Sequence, residues 1–205
     1  MSDEKTQWRI IGASNHFSEE REENDYYATD PIAIDKLLQV EMPNCYIWEP
    51  ACGGGHLALR LINNGYTVFE SDIVKRGFRC DAIHDFLSDT LPKNLRYKFR
   101  GQAFDILTNP PYKQATEFVI KALELLPVGC KCYMFLKLTF LESEKRYKHI
   151  FKDNPPIRIH VFSKRVACAK NGDFSRVKES GGSVTAYAWF VWEKGYKGTT
   201  TVDWI

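Results

Sequence analysis

The sequence lacks the features that mark a membrane or secreted protein. No apolar run approaches the roughly 20 residues that a membrane-spanning helix needs. The first five residues, MSDEK, contain no apolar stretch, so we expect no signal peptide and a cytoplasmic location. Hydrophobic residues make up 44% and charged residues 26% of the 205 residues, which is typical of one globular domain with a sizeable core.

The sequence also lacks clustered metal ligands. The six cysteines stand at positions 45, 52, 80, 130, 132 and 168, and no pair has CxxC spacing. The five histidines are equally dispersed. We therefore expect no metal site, and we interpret the cysteines as reduced, buried thiols.

Charge is nearly balanced overall but unevenly distributed. Residues 1–30 carry three basic and eight acidic side chains, and residues 31–130 carry eleven of each. Residues 131–205 carry fourteen basic and seven acidic side chains. This basic C-terminal third favours a polyanionic partner, although a solvated surface without any partner would show the same bias.

Apolar patterns predict alternating strands and helices. Residues 1–25 are polar and without periodicity, which predicts a partly disordered tail before a single domain over 26–205. Helices are predicted over 31–38, 56–63, 115–126 and 142–152, and strands over 45–48, 66–73, 79–86, 104–107, 130–138, 157–161 and 184–192. The aperiodic, basic stretch 164–183 predicts a long loop. Such alternation is typical of an α/β domain with a mainly parallel sheet, and the last two strands, with no helix between them, are expected to be antiparallel.

A glycine-rich turn follows the first of these strands. Gly53, Gly55 and Ala58 match G-x-G-x-x-G/A, a turn that lets a ligand approach the backbone at a helix N-terminus. Asp72 lies nineteen residues after Gly53, at the end of the next strand, where a carboxylate can bind ribose hydroxyls. A nicotinamide dehydrogenase, or a tight connection without any ligand, would show the same two features. The carboxylate of Glu49 favours a cationic ligand such as S-adenosylmethionine over the pyrophosphate of NAD.

The segment Asn109-Pro110-Pro111-Tyr112 ends the fourth predicted strand. Tandem prolines cannot continue a ladder, and open α/β sheets bind ligands at the carboxyl ends of their strands. The exocyclic amino group of a base is a poor nucleophile because its lone pair is delocalised, so it needs acceptors for its N–H groups. The Asn109 side-chain oxygen and the Pro110 carbonyl supply two acceptors, and Tyr112 offers a face for a flipped base. The alternative is a turn with an aromatic plug.

With these motifs the chain resembles the amino-group DNA methyltransferases, in particular the compact adenine-N6 methyltransferases of bacteriophages and prophages. The resemblance covers nearly the whole chain from about residue 25. It is carried by residues 26–31, 49–55, 71–73, 85–86, 109–112, 140–142, 161–165 and 188–192.

The resemblance implies a single-domain, Rossmann-like class I methyltransferase fold. Its seven-stranded, mostly parallel sheet would have an antiparallel last strand and helices on both faces. The implied cofactor is S-adenosyl-L-methionine, and the implied substrate is a flipped adenine in DNA. The implied catalytic residues are Asn109, Pro110, Pro111 and Tyr112. The implied cofactor-binding residues are Tyr26, Thr29, Pro31, Glu49, Pro50, Ala51, Gly53, Gly55, Asp72, Ile73, Asp85, Phe86 and Asn109.

Contacts to DNA are expected from the basic segment 139–183, because only about 23 residues separate Asp85 from Asn109 and leave no room there for a recognition domain. The predicted substrate-binding residues are Tyr112, Lys113, Phe140, Lys164, Arg165, Lys170, Arg176 and Lys178. We expect a monomer or weak dimer.

Four other functions stay open at this point, one of them the nicotinamide dehydrogenase that the glycine turn and Asp72 would also suit. The same motif serves enzymes that methylate RNA bases or a protein glutamine amide, although glutamine-directed relatives usually carry an N-terminal helical domain for which residues 1–30 are too short. A cofactor-binding module without turnover is the fourth.

Overall fold

The computed structural model describes residues 27–170, 174 and 185–205. The predicted tail over 1–25 lies outside the described residues. The strands are β1 (Tyr27–Thr29), β2 (Tyr46–Glu49), β3 (Thr67–Asp72), β4 (Ala82–Ile83), β5 (Asp105–Thr108), β6 (Lys131–Lys137), β7 (Arg158–Val161), β8 (Cys168–Lys170), β9 (Tyr187–Glu193) and β10 (Thr201–Trp204). The α-helices are α1 (Ile32–Leu37), α2 (His56–Asn63), α3 (Leu95–Lys98), α4 (Ala115–Leu125) and α5 (Glu144–Arg146).

Eight strands form one sheet in the order β10-β7-β9-β6-β5-β2-β3-β4. All neighbours are parallel except β9, which runs antiparallel to both β6 and β7. This confirms the predicted α/β class and the mostly parallel sheet with an antiparallel strand. The chain leaves β2 for β3 on one side and returns to β5 on the other, so the strand order reverses between β2 and β5. Ligands of open α/β sheets bind at the carboxyl ends beside such a reversal.

The sheet has one strand more than the seven predicted. After β9 the chain turns back, and β10 pairs in parallel with β7, Thr201 opposite Arg158. Sequence patterns missed β10 because its four residues are all exposed. Thr201 to Trp204 alternate polar and apolar, but the run is too short to stand out without burial, and hydrogen bonds to the β7 segment hold it at the edge.

Apolar side chains cover both faces of the sheet. Neighbouring residues of β2, Ile47 and Trp48, point to opposite faces, and both are fully buried. Ile47 packs in the cluster that includes α2, whereas Trp48 packs in the cluster that includes α4. The three-layer arrangement, with helices on both faces, therefore agrees with the prediction and explains why the central strands are continuously apolar.

A two-stranded sheet forms where a long loop was predicted. Strand β8 lies within the predicted loop 164–183 and pairs antiparallel with β1, Tyr27 opposite Lys170 and Thr29 opposite Cys168. Asp30 extends the contact, since its N–H donates to the carbonyl of Ala167 at 3.0 Å. The first strand of the domain is thereby joined to the start of the basic region.

A buried ionic cluster holds the amino-terminal edge of the central strands. The carboxylate of Glu41, with 1% of its side chain exposed, accepts hydrogen bonds from Lys131 at 3.1 Å and from Arg158, and it contacts His160 at 3.1 Å. Burial alone would raise the pKa of Glu41, but these three partners outweigh it and hold the pKa at about 2. The cluster joins the loop after α1 to strands β6 and β7, on the opposite edge from the carboxyl ends.

All six cysteines are free thiols, and three of them, Cys52, Cys130 and Cys132, are buried. Cys45 is exposed. Among the helices of the described residues, none is long and apolar enough to cross a membrane.

Candidate active site

The turn after β2 is shaped by two glycines in left-handed conformation. Gly53 has φ 55° and Gly55 has φ 76°. The N–H of Gly55 donates to the carbonyl of Cys52 at 2.7 Å, which closes the turn at the start of α2. A Cβ atom on Gly55 would lie 2.4 Å from the ring of Phe78. Only glycine fits that position, because a side chain would meet both the φ strain and the ring.

Asp72, at the end of β3, supports this turn directly. Its Oδ2 accepts a hydrogen bond from the N–H of Gly53 at 2.8 Å, and its Oδ1 accepts one from Val74 at 3.0 Å. The guanidinium of Arg76 lies 3.9 Å from Oδ1. Asp72 therefore both faces the cleft and orients the glycine turn. Sequence reasoning anticipated the first of these roles and missed the second, for which spacing carries no signal.

Glu49 places a buried carboxylate between the turn and the sheet. Glu49 is 2% exposed, and its Oε2 has no hydrogen-bond partner among the described residues. Burial raises the pKa of Glu49 well above its ordinary value, and the neighbouring carboxyl groups of Glu70 and Asp72 add to the shift. A cation beside Oε2 would favour the ionised form and remove the cost of burying it.

Glu49 and Asp72 line a cleft of about 830 Å³, counting its open mouth, whereas the predicted Gly53 and Gly55 shape the turn behind it and are not among its lining residues. Predicted site residues along it are Thr29, Glu49, Pro50, Ala51, Asp72, Ile73, Asp85, Phe86, Asn109, Pro110 and Pro111. Lining residues that the sequence reasoning missed are Tyr27, Ala28, Cys52, His56, Leu57, Arg76, His84, Gln114 and Phe118. Tyr27, Ala28, Cys52, His56 and Leu57 lie within the motif segments, where the motif did not single them out. Arg76, His84, Gln114 and Phe118 lie outside every motif, so only the fold could bring them to the cleft.

Asn109 is held in one orientation by β1. Its amide nitrogen donates to the carbonyl of Tyr27 at 3.0 Å and to Oγ1 of Thr29 at 2.9 Å. A carbonyl can only accept, so the nitrogen must face Tyr27 and the side-chain oxygen must face away. That oxygen is buried, and no described residue donates to it. Asn109 lines the cleft, so the site holds an oriented acceptor that has no donor among the described residues.

Tyr112 lies in an aromatic cluster beside the cleft rather than on its wall. Its hydroxyl is 3.0 Å from the hydroxyl of Tyr187, and its ring is near-parallel to that of Tyr27 with centroids 5.8 Å apart. The ammonium of Lys137 lies over the ring, 4.4 Å from its centroid. Burial raises the pKa of Tyr112, so the phenol stays neutral.

The other predicted residues divide into four groups. Phe140, predicted to contact substrate, is instead 7% exposed and packs against Phe190 and Trp192 in the core, because the 3₁₀ turn Leu138–Leu141 points it inward. Pro31 is half-buried at the start of α1, outside the cleft wall. The exposed cations are Lys113, Lys164 and Arg165. Tyr26, Arg176, Lys178 and the side chain of Lys170 lie outside the described residues.

Solved structures share this fold at low sequence identity. A Listeria monocytogenes protein described as a class I S-adenosylmethionine-dependent methyltransferase aligns with a TM-score of 0.54 and 14% identity, over 85% of this chain and 62% of its own. The methyltransferase subunit of a type I restriction-modification system from Streptococcus thermophilus aligns with a TM-score of 0.55 and 12% identity, over 84% of this chain and 46% of its own. Protein Atu636 of Agrobacterium tumefaciens, described as an O-methyltransferase, aligns with a TM-score of 0.52 and 12% identity, over 85% of this chain and 84% of its own. No family model and no curated protein sequence matches the chain.

The chain therefore has the fold of class I S-adenosylmethionine-dependent methyltransferases, and it spans about three fifths of the Listeria protein. The cleft fits the cofactor of that fold. Glu49 offers an unpartnered carboxylate oxygen to a sulfonium or ammonium group, and Asp72 offers a carboxylate to ribose hydroxyls. Ile73, 54% exposed, offers an apolar surface to an adenine ring. Among the described residues, no three His, Cys, Asp or Glu side chains cluster as a metal site would.

Proposed function

We propose that this chain is an S-adenosylmethionine-dependent DNA methyltransferase that modifies the N6 amino group of adenine. The observation that carries the proposal is the side chain of Asn109. Its nitrogen donates to Tyr27 and Thr29, its oxygen is buried without a donor among the described residues, and Asn109 itself lines the cleft. A buried acceptor without a hydrogen-bond partner costs free energy, so we expect a donor from the substrate to satisfy it.

The chemistry follows from that acceptor. The Asn109 oxygen and the Pro110 carbonyl would accept the two N–H groups of an exocyclic amine, which draws its nitrogen out of conjugation and localises the lone pair for attack. Bound S-adenosylmethionine would supply the methyl group from its sulfonium, and the neutral thioether S-adenosylhomocysteine is a good leaving group. The proton departs after transfer, so the reaction needs no residue with a pKa tuned for general base catalysis. The neutral phenol of Tyr112 agrees with this requirement.

Three observations favour DNA as the substrate. Exposed Lys113, Lys164 and Arg165 belong to the basic C-terminal third or to the catalytic turn. Phe174, within the basic segment, packs edge-on against the ring of His56 with centroids 5.6 Å apart, and His56 lines the cleft. The basic segment thus reaches the cleft. The Streptococcus relative is a methyltransferase subunit of a restriction-modification system, which agrees with a DNA substrate.

We further propose, from the resemblance of the motifs, that the protein belongs to the compact phage and prophage group and acts in the cytoplasm of a bacterial host. The fold does not make this choice, because the Agrobacterium relative with the same fold is described as an O-methyltransferase.

The test is methyl transfer from labelled S-adenosylmethionine to genomic DNA that lacks N6-methyladenine, followed by mass spectrometry of the nucleosides. We expect label in N6-methyladenine. Parallel reactions use single-stranded DNA, structured RNA and a glutamine-containing peptide. Transfer to RNA or peptide but not to DNA would contradict the proposed substrate, and transfer to none of them would contradict the proposed activity.

The substitution Asn109→Ala identifies the site that performs the reaction. It removes the acceptor and keeps the glycine turn and Asp72 intact, so affinity for S-adenosylhomocysteine is expected to stay within about twofold while turnover falls at least about a hundredfold. Isothermal titration measures the first quantity and single-turnover transfer the second. Near-normal turnover in the variant would show that Asn109 is not the acceptor.

A further inference from the structure

Lys137 lies beside the catalytic turn, although no motif marks it. It ends β6, and Thr108 of the neighbouring β5 pairs with Met134 of β6. Lys137 therefore lies three positions further along, level with the Asn-Pro-Pro-Tyr segment that follows Thr108. Its ammonium reaches over the ring of Tyr112, 4.4 Å from the centroid.

Lys137 has no carboxylate partner within 4 Å among the described residues, whereas several other lysines do. Lys98, Lys121, Lys131 and Lys148 each form such an ion pair. The ammonium of Lys137 is half-buried and has a ring as its described charge partner.

Among the described residues, the other groups identified around Lys137 are neutral. Tyr187 pairs with it across the β6–β9 ladder, and the field of the ammonium reaches Cys168. Burial raises the pKa of Tyr112, of Tyr187 and of Cys168, so none of the three supplies a negative charge at neutral pH. A half-buried cation in neutral surroundings leaves a place for an incoming anion.

We infer that Lys137 positions the nucleic acid: its ammonium covers the Tyr112 ring when DNA is absent and binds a backbone phosphate when the target base arrives. This inference rests on the proposed function. An ammonium over the ring centre occupies the place that a base stacked on that face of Tyr112 would need, so the two exclude each other. A DNA strand supplies both a base that can stack on the Tyr112 ring and a phosphate that can pair with the Lys137 ammonium, because each base is attached to the backbone.

The exchange makes Lys137 a positioning residue. It touches Tyr112 before the base does, and it holds the strand afterwards. The cation–ring contact is thereby replaced by a charge-assisted hydrogen bond to phosphate and by stacking of the base.

The experiment measures DNA binding by fluorescence anisotropy, with S-adenosylhomocysteine present, for the whole protein and three variants. Lys137→Met removes the charge and keeps a flexible chain, and Lys137→Arg keeps the charge. Lys121→Met is the matched control, because it removes an equally sheltered lysine that already pairs with Asp89 and Glu124. The probes are a fluorescein-labelled duplex and single strand of mixed sequence.

We expect Lys137→Met to weaken DNA binding about tenfold, as the loss of one charged hydrogen bond predicts. We also expect its slope of log Kd against log salt to fall by about one, because one phosphate contact is lost. Lys137→Arg restores both quantities, while Lys121→Met and the affinity for S-adenosylhomocysteine stay unchanged. A merely structural lysine would lower the melting temperature without changing the salt slope.

A salt slope and Kd for Lys137→Met equal to those of Lys121→Met would overturn the inference. Because binding is measured without turnover, the two proposals can fail separately. A wild-type protein that transfers no methyl group refutes the proposed function, and a Lys137→Met variant that binds DNA normally refutes the role of Lys137.

Discussion

The buried carboxyl group of Glu49 is expected to couple cofactor binding to the release of a proton. In the free protein its pKa lies well above the ordinary value because it is buried beside Glu70. At mildly acidic pH it is therefore protonated. A cationic ligand beside Oε2 favours the ionised carboxylate, so binding requires loss of the Glu49 proton. The affinity is therefore lower at pH values where Glu49 is protonated.

The sign and size of the effect follow from this linkage. Below the raised pKa of Glu49, each unit of pH adds up to about 1.4 kcal/mol to the binding free energy, or tenfold in affinity. Above that pKa the affinity levels off. The group works in the opposite direction on folding: its proton is bound in the native state and lost on unfolding, so its contribution to stability falls as pH rises from about 4.5 through the raised pKa. A bound cation offsets that loss.

Isothermal titration of S-adenosylmethionine from about pH 5.5 to about pH 8, in buffers of different ionisation enthalpy, gives both the affinity and the number of protons released. We expect proton release to be largest at the acidic end and to fall as the pH rises through the raised pKa of Glu49. Glu49→Gln keeps the shape of the side chain and removes the proton, so its affinity is expected to be weaker and its proton release close to zero.

Glu70→Gln is the matched control. Burial raises the pKa of Glu70 to about 7, so it titrates in the same range, but it does not line the cleft. Glu70 also contributes to the raised pKa of Glu49, but burial is the larger cause, so we expect that variant to keep most of the proton release. A wild-type affinity that does not change with pH, or equal proton release from Glu49→Gln and wild type, would refute the reasoning.

Three further substitutions test the scaffold around the site. Thr29→Val removes one of the two acceptors that orient Asn109 and is expected to slow single-turnover transfer about fivefold, the equivalent of one neutral hydrogen bond, whereas Thr29→Ser restores it. Glu41→Gln is expected to remove about 3 kcal/mol of stability at neutral pH, a contribution that in the wild type is complete above about pH 4.5 and fades as pH falls towards 2; urea unfolding across that range checks it, and equal acid sensitivity of both proteins would contradict it. Gly55→Ala is expected to cost about 1–3 kcal/mol more than Gly65→Ala in urea unfolding, because both positions have positive φ but only the first meets an aromatic ring; equal costs would mean that the ring moves aside freely.

The sequence predicted the fold well where local patterns and burial agree. Strand β2, its glycine turn and helix α2 follow one another within 18 residues, and each has its own local signal. The pattern failed where an element is short and its partner distant. Strand β8 has three residues and pairs with β1, more than 130 positions earlier, so nothing in its neighbourhood marks it as a strand.

The same contrast holds within the candidate site. Motifs predicted Glu49, Asp72 and Asn109 at the cleft because Glu49 and Asp72 end strands, and Asn109 follows one, at the same edge of the sheet. They misplaced Phe140, whose apolar character serves the core. Neighbouring residues in sequence do not reveal which way a turn faces, and the ammonium of Lys137 over Tyr112 depends on the register between two strands.

The pairing of β1 with β8 has a consequence for how the catalytic unit is delimited. Helix α1 is the first regular element that sequence patterns predict, and a boundary drawn there would discard residues 27–29. The remaining chain would retain the glycine turn, Asp72 and the Asn-Pro-Pro-Tyr segment, yet the amide of Asn109 would be free to rotate. Such a truncated protein is expected to bind the cofactor, but the side-chain oxygen of Asn109 would no longer be held in one orientation. If the proposed function holds, these three residues, which form no described hydrogen bond to the glycine turn or Asp72, would separate a cofactor-binding protein from an active methyltransferase.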